Sequence, residues 1–317
     1  MADVSAEKAT RDEQVLLGDE AIAQGAIDAG ITAGYAYPGT PSTEILEHVI
    51  RVSKREGSPH AQWCANEKTA FEAALGASMV GKRVLVTMKH VGLNVAADPF
   101  MNATMVDVHG GLVLAVADDP GMHSSQNEQD TRWLADFAKV PLFEPADQQQ
   151  AYDMTRAAFD LSERLHVPVL IRLVTRLAHS RAVVRTEAPR PQNVASTDVN
   201  AMDWILLPVN ARRLWQAHLD KLPSIDAAIA DTGYNVLPEG EGDFGVITTG
   251  VARNYLLENL DEVQASPLHL HVGAYPFPMD EVRKLAERVD RLLVMEEGFP
   301  YIERLLRGVI PPSVKIE

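Results

Sequence analysis

WCANEKTAFEAALGASMVGKRVLVTMKHVGLN, residues Trp63–Asn94, decides how the rest of this 317-residue chain is read. A run with helical spacing and many small residues starts at Asn66–Glu67–Lys68. It feeds a short apolar strand, Val84–Met88, and the strand is expected to end in a glycine-bearing polar loop of Lys89, His90, Gly92 and Asn94. In open α/β folds, ligands collect where strands end and helices begin. This stretch offers two such edges, and Glu67 is the carboxylate at the first of them.

Outward from that stretch the pattern repeats. On the N-terminal side, Gly18–Asp19–Glu20 opens a slim helix that Gly30 ends. A strand near Ala33–Tyr37 leads into Pro38–Gly39–Thr40–Pro41–Ser42, and Ser42 or Thr43 can cap the next helix. Proline, glycine and serine here serve a turn and a cap as readily as a ligand edge. On the C-terminal side, Gly110–Ala117 is an unbroken apolar run, typical of a strand buried on both faces. It ends in the turn Asp118–Asp119–Pro120–Gly121 and the polar segment His123–Arg132. An extended piece at Pro141–Pro145, an amphipathic helix Gln148–Leu165 and a buried strand Val167–Val174 follow. This β–α alternation implies a doubly wound parallel sheet. Prolines near 189–191 suggest a boundary, with a helical stretch Ala211–Ala230 inside a connector. A second, smaller β–α unit runs from Phe244, with strands in GVITTG, LHLHVGAYPFP and RLLVMEEG. The expected division is a flexible tail over 1–14, a main domain over 15–190, a connector over 191–240 and a small α/β domain over 241–317.

Composition narrows the function. Hydrophobic residues make up 46% and charged residues 23%, enough to build a core without staples. The formal net charge of -15 argues against a general nucleic-acid binder, which needs clustered Lys and Arg. A single cysteine, Cys64, supports neither a disulfide framework nor a cysteine-ligated cluster. No secretory signal or membrane-length apolar run is present, so the cytoplasm is the expected compartment and no membrane partner is expected. Gly76–Arg83 resembles a P-loop for seven positions, but Arg83 stands where Ser or Thr must hold magnesium, and the helix precedes the strand. His269 and His271 share one face of a strand without an evident third ligand, so no metal is assigned.

Taken together, Gly18–Ala21, Tyr37–Ser42, Asn66–Lys68, Met88–Asn94, Asp118–Gly121 and Ser124–Glu128 resemble the alpha chains of the indolepyruvate-type thiamine diphosphate-dependent 2-oxoacid:ferredoxin oxidoreductases. Leu207–Arg213, Thr248–Gly250 and Glu296–Glu297 fit the same family. The resemblance covers nearly the whole chain after residue 14. It implies a pyrimidine-binding domain of the thiamine diphosphate fold, followed by a transketolase C-terminal-like domain. It implies that Glu67 hydrogen-bonds the cofactor's aminopyrimidine, and that Pro38, Gly39, Thr40, Gly92, Leu93 and Asn94 shape the cofactor site. Thr40, Lys89, His90 and Arg132 become candidates for the substrate, with His90 also catalytic. Ser124–Asn127 would shape the pocket or a chain interface.

Family alpha chains are about twice as long and continue into a magnesium–diphosphate domain with a Gly-Asp-Gly motif, then a cysteine-rich domain. No Gly-Asp-Gly triplet occurs here. The resemblance therefore places Mg2+ and [4Fe-4S] clusters on a partner chain or a missing segment. Ferredoxin or another electron acceptor and coenzyme A are expected partners, in an oligomer. This chain alone is expected to be inactive. Two alternatives stay open: a non-catalytic scaffold or regulatory subunit, and a variant acting on another 2-oxoacid.

Overall fold

The computed structural model describes residues 12–196, 198, 200–236, 242–263 and 266–317. In chain order, β1 (Asp12–Leu17) runs into α1 (Gly18–Asp28). Then come β2 (Ala33–Ala36), α2 (Thr43–Glu56), β3 (His60–Trp63), α3 (Glu67–Met79), β4 (Val84–Lys89), α4 (His90–Ala103) and β5 (Leu112–Asp118). They are followed by α5 (Thr131–Ala138), β6 (Leu142–Phe143), α6 (Gln148–Leu165), β7 (Val169–Val174), α7 (Thr175–Ala178) and β8 (Arg181–Thr186). The remainder holds α8 (Pro208–Ala230), β9 (Phe244–Thr249), α9 (Ala252–Val263), β10 (Leu268–Val272), β11 (Ala274–Tyr275), α10 (Met279–Ala286), β12 (Arg291–Met295), α11 (Tyr301–Leu306) and β13 (Lys315–Ile316).

Seven strands form the main sheet in the order β11-β6-β7-β5-β4-β2-β3. All pairs are parallel except the edge pair β11–β6. Strands β4, β5 and β7 are buried at every position, which is why their sequences read as unbroken apolar runs rather than alternating ones. Helices α1, α2 and α6 pack together in one group, α3, α4 and α5 in another. A smaller parallel sheet has the order β10-β9-β12-β13. The architecture is thus the doubly wound α/β sheet with a second, smaller α/β sheet that the alternation implies.

Three features depart from expectation. Residues 12–14, assigned to the flexible tail, lie in β1, which pairs antiparallel with β8 through Asp12↔Thr186 to Leu17↔Arg181; residues 1–11 lie outside the described residues. Lys89–Asn94, expected as a loop, is the end of β4 and the first turn of α4. Packing overrides the poor helix propensity of Gly92 here: Gly92, Leu93, Ala96 and Phe100 recur on the buried side, and Phe100 meets Phe71 of α3 edge to face at 6.1 Å. Finally, Ala274–Tyr275 leaves the small sheet and adds β11 to the edge of the main one.

Polar groups buried between the two sheets hold this junction. Arg132 pairs with Asp130 at 2.5 Å and Glu296 at 2.8 Å. Arg172 pairs with Asp118 at 2.6 Å and Glu144 at 2.5 Å, and the Tyr275 hydroxyl donates to Glu144 at 2.7 Å. Glu144 stands on the main-sheet side and Glu296 follows β12, so the network crosses from one sheet to the other. Burial alone pushes Asp130 up, but the guanidinium groups of Arg172 and Arg132 outweigh it and hold its carboxyl below the usual range.

Candidate functional site

Four adjacent strands, β3, β2, β4 and β5, run parallel and end on the same edge of the sheet. The turn after β2 carries Pro38–Ser42. The segment after β3 carries Asn66 and Glu67. Strand β4 delivers Lys89 and His90, and β5 delivers Asp118–Gly121 and the following polar loop. Strand order, not sequence proximity, collects these residues.

Glu67 is the first residue of α3. Asn66 caps that helix, its side chain accepting from the Thr69 N–H at 2.9 Å while the Thr69 hydroxyl returns to the Asn66 carbonyl at 2.9 Å. This reciprocal cap fixes the backbone that aims Glu67. The glutamate is 8% exposed, and no donor among the described residues bonds its carboxylate. Its Oε1 lies against Gly92, where an added Cβ would come within 2.5 Å. Gly92 is therefore glycine because the carboxylate occupies the side-chain space.

Lys89 ends β4 with its stem across Gly39, where a Cβ would stand 3.0 Å from Lys89 Cδ. Its ammonium donates to the Ser124 carbonyl at 3.4 Å, and the Ser124 hydroxyl donates to the Thr40 carbonyl at 3.4 Å. The Thr40 turn is itself laced: the Gly39 N–H donates to Thr43 Oγ1 at 3.0 Å and the Ser42 hydroxyl to the Gly39 carbonyl at 2.8 Å. Thr40 and Pro38 are exposed at the rim. His90 is buried, with Nε2 3.0 Å from the Asn127 carbonyl. A carbonyl only accepts, so Nε2 carries a proton; Nδ1 has no hydrogen-bond partner among the described residues.

Asp119 organises the loop that supplies these partners. Burial works against its charge, yet it accepts from Ser124 N at 2.8 Å, Ser125 Oγ at 2.7 Å and Thr175 Oγ1 at 2.7 Å, and its carboxyl is held at about 2. The sequence marks Asp119 as part of a turn and of the family-like Asp118–Gly121 motif but not as the loop's organiser; the signal available for that was an acid followed closely by a Ser-Ser pair.

The structure thus brings together Glu67, Gly92, Lys89, Gly39, Thr40 and His90. Leu93 goes to the core instead, and Asn94 is exposed. Arg132 corrects a sequence expectation: it was assigned to a substrate carboxylate, but its side chain is 0% exposed and tied to Asp130 and Glu296. Phe100 is plain core, and Trp133 packs edge to face on Tyr301 at 4.7 Å. Burial pushes the Cys64 thiol up, away from a reactive thiolate. His269 and His271 share the Thr248 hydroxyl at 2.8 and 3.0 Å.

Comparison with known proteins meets this geometry. Residues 24–203 match the family described as pyruvate flavodoxin/ferredoxin oxidoreductase, thiamine diP-bdg. The indolepyruvate oxidoreductase subunit IorA of Archaeoglobus fulgidus is 40% identical over 305 residues, covering 93% of this chain and 48% of that protein. The 2-oxoglutarate synthase subunit KorA of Methanothermobacter thermautotrophicus is 25% identical over 353 residues, covering 94% of this chain and 92% of that one. The chain spans about half the length of the IorA relatives it matches. Among solved structures, the 2-oxoglutarate:ferredoxin oxidoreductase of Magnetococcus marinus shares the fold with a TM-score of 0.78 at 19% identity, over 97% of this chain and 62% of that chain. No helix among the described residues is long and apolar enough to cross a membrane.

Proposed function

This chain belongs to the pyruvate flavodoxin/ferredoxin oxidoreductase family, thiamine diphosphate-binding, and from that premise we propose that it forms the pyrimidine side of the cofactor site in a 2-oxoacid:ferredoxin oxidoreductase acting on an aryl pyruvate such as indolepyruvate. The observation that carries this reading is Glu67: a carboxylate 8% exposed without a donor among the described residues, backed by Gly92 and fixed by the Asn66–Thr69 cap. A buried carboxylate needs a partner, and a ring nitrogen bearing a proton is a fitting one. When bound, thiamine diphosphate supplies the carbon nucleophile and electron sink that let a 2-oxoacid lose carbon dioxide.

The chain's own residues divide the remaining work. Glu67 accepts a hydrogen bond from the pyrimidine ring, and bound cofactor would shield that bond from water and strengthen it. Helix α3 begins at this residue, so the helix fixes where the carboxylate stands. Lys89, buried and anchored on Ser124, brings a positive charge toward the substrate carboxylate, and Thr40 lies at the rim beside it. His90, with Nε2 committed to Asn127, offers Nδ1 as the acceptor for a proton. Gly39 and Gly92 keep room for Lys89 and Glu67.

In this reading magnesium and iron–sulfur clusters sit on a partner chain or further segment, since one cysteine cannot ligate a cluster. Coenzyme A and ferredoxin, or another acceptor, engage the assembled complex. The aryl pyruvate assignment is supported by the higher identity to the indolepyruvate relatives than to the 2-oxoglutarate one. The test is to co-purify the chain with its partners and measure thiamine diphosphate-dependent acceptor reduction with indolepyruvate, pyruvate and 2-oxoglutarate. Fastest turnover with indolepyruvate is expected. A preference for another acid removes the substrate assignment, and activity independent of the cofactor removes the reading itself.

A further inference from the structure

Asp19 is a buried acid set against a second carboxylate, an arrangement that either a shared proton or a bridging cation satisfies. It is the second residue of α1, fully buried, and among the described residues neither carboxylate oxygen accepts a hydrogen bond from a donor other than a proton shared with Glu44. Glu44, the second residue of α2, turns its buried Oε2 toward the same spot, and that atom likewise has no other donor among the described residues. His179, just past α7, brings Nε2 to 3.7 Å from Glu44 Oε2. One ligand atom from each residue falls within 4.8 Å of the others. The fold builds this meeting deliberately: the Gly18 N–H donates to the Ser180 carbonyl at 3.2 Å, and Gly18 has no room for a side chain because Leu177 O would stand 2.2 Å from its Cβ.

Charge makes the case sharper. Burial, Glu44 and Glu20 all act on Asp19 in the same direction, against ionisation. The nearby Arg51 is engaged with Glu20 at 2.5 Å. An isolated buried carboxylate without a counter-charge is costly, and paired or metal-bound acids are the usual solution. Two carboxylates and one imidazole supply the missing partner set for a divalent ion with mixed oxygen and nitrogen ligands, and the half-exposed His179 leaves a solvent side for water ligands.

We infer that Asp19, Glu44 and His179 bind a divalent cation of the zinc class, clipping α1, α2 and α7 together beside the Thr40 turn. Glu44 stands four residues after Thr40, so the ion would hold the helix that this turn enters. Its three ligands are distinct from Glu67, Lys89 and His90, and its test does not depend on turnover.

The test is calorimetric titration of the full chain with Zn2+ in excess Mg2+, together with thermal melting. The wild-type chain is expected to take up one equivalent of Zn2+ with a concentration-dependent rise in Tm. Asp19→Asn and His179→Ala are each expected to lose that equivalent and the rise. Asp19→Asn keeps the shape and relieves the buried acid's repulsion from Glu44, so its metal-free Tm should equal or exceed that of the wild type. Should that variant fail to fold, the surface-facing His179→Ala decides alone. Absence of the equivalent from the wild type, or its retention in a folded variant, overturns the assignment.

Discussion

The carboxylate of Glu67 fills the space that a side chain at Gly92 would need: an added Cβ would lie 2.5 Å from Glu67 Oε1. The two residues come from different strand ends and specify one another. A carboxylate must reach a partner without a side chain behind it, and the helix that follows β4 must tolerate glycine in its first turn to let it.

Gly92→Ala is therefore expected to weaken thiamine diphosphate binding by the assembled complex, while the chain stays folded, because alanine is the better helix former by about 1 kcal/mol. Gly39→Ala meets only the flexible stem of Lys89 at 3.0 Å and should be milder. Cofactor titration of both variants checks the order. Equal losses would show that Glu67 is not held against Gly92 as described.

Lys89→Met removes the cation anchored on Ser124. Loss of a charge-assisted contact to a carboxylate costs about 1.5–3 kcal/mol, so KM for the 2-oxoacid should rise by roughly 10- to 100-fold. Cofactor affinity should hold. Steady-state kinetics over a range of substrate concentrations separates the two, and an unchanged KM would take Lys89 out of substrate binding.

Arg172→Met should be among the most damaging single changes. It strands Asp118 and Glu144, both buried, without their guanidinium. Breaking such a network typically costs about 3–5 kcal/mol. Urea denaturation measures it. A loss below about 1 kcal/mol, the worth of an exposed pair, would mean that the network is not what holds the two sheets together.

Much of the fold was open to reading because β4, β5 and β7 are buried on both faces and leave unbroken apolar runs. The β1–β8 ribbon was not, since its partners are over 160 residues apart and the exposed start of β1 reads as polar tail. The two-residue β11 carries too little pattern to reveal which sheet it joins. At the site, the meeting of Glu67, Lys89 and His90 along one sheet edge was legible from motif and position, whereas Leu93 turned inward with its helix. Arg132 was misassigned because a lone arginine in a polar segment looks available. The warning lay elsewhere: Arg172 interrupts the apolar strand VLIRLV, and a buried guanidinium requires acids that Asp118, Asp130 and Glu144 supply.

His48 gives a pH signature. Burial first, and Arg51 second, lower it from its ordinary value of 6.5 to about 4. Its Nε2 lies 3.0 Å from Gln24 Oε1 and its Nδ1 3.1 Å from an Arg51 nitrogen, an arrangement that suits the neutral ring. Below 6.5 the unfolded chain binds a proton that the folded chain refuses, so this contribution to stability is intact above 6.5 and is lost as pH falls toward 4. The slope is about 1.4 kcal/mol per pH unit, or about 2 kcal/mol by pH 5. Unfolding free energies at pH 7 and 5 should differ less in His48→Gln than in the wild type by about that amount; an identical difference would dismiss the buried neutral histidine.

The most direct measurement is turnover of the assembled complex carrying Glu67→Gln, which keeps the shape and removes the charge. With saturating indolepyruvate and thiamine diphosphate, kcat should drop by roughly 100- to 10,000-fold, the range for a lost proton-handling group, while the complex stays assembled. Turnover within about twofold of wild type, well short of that range, would contradict the role given to this carboxylate.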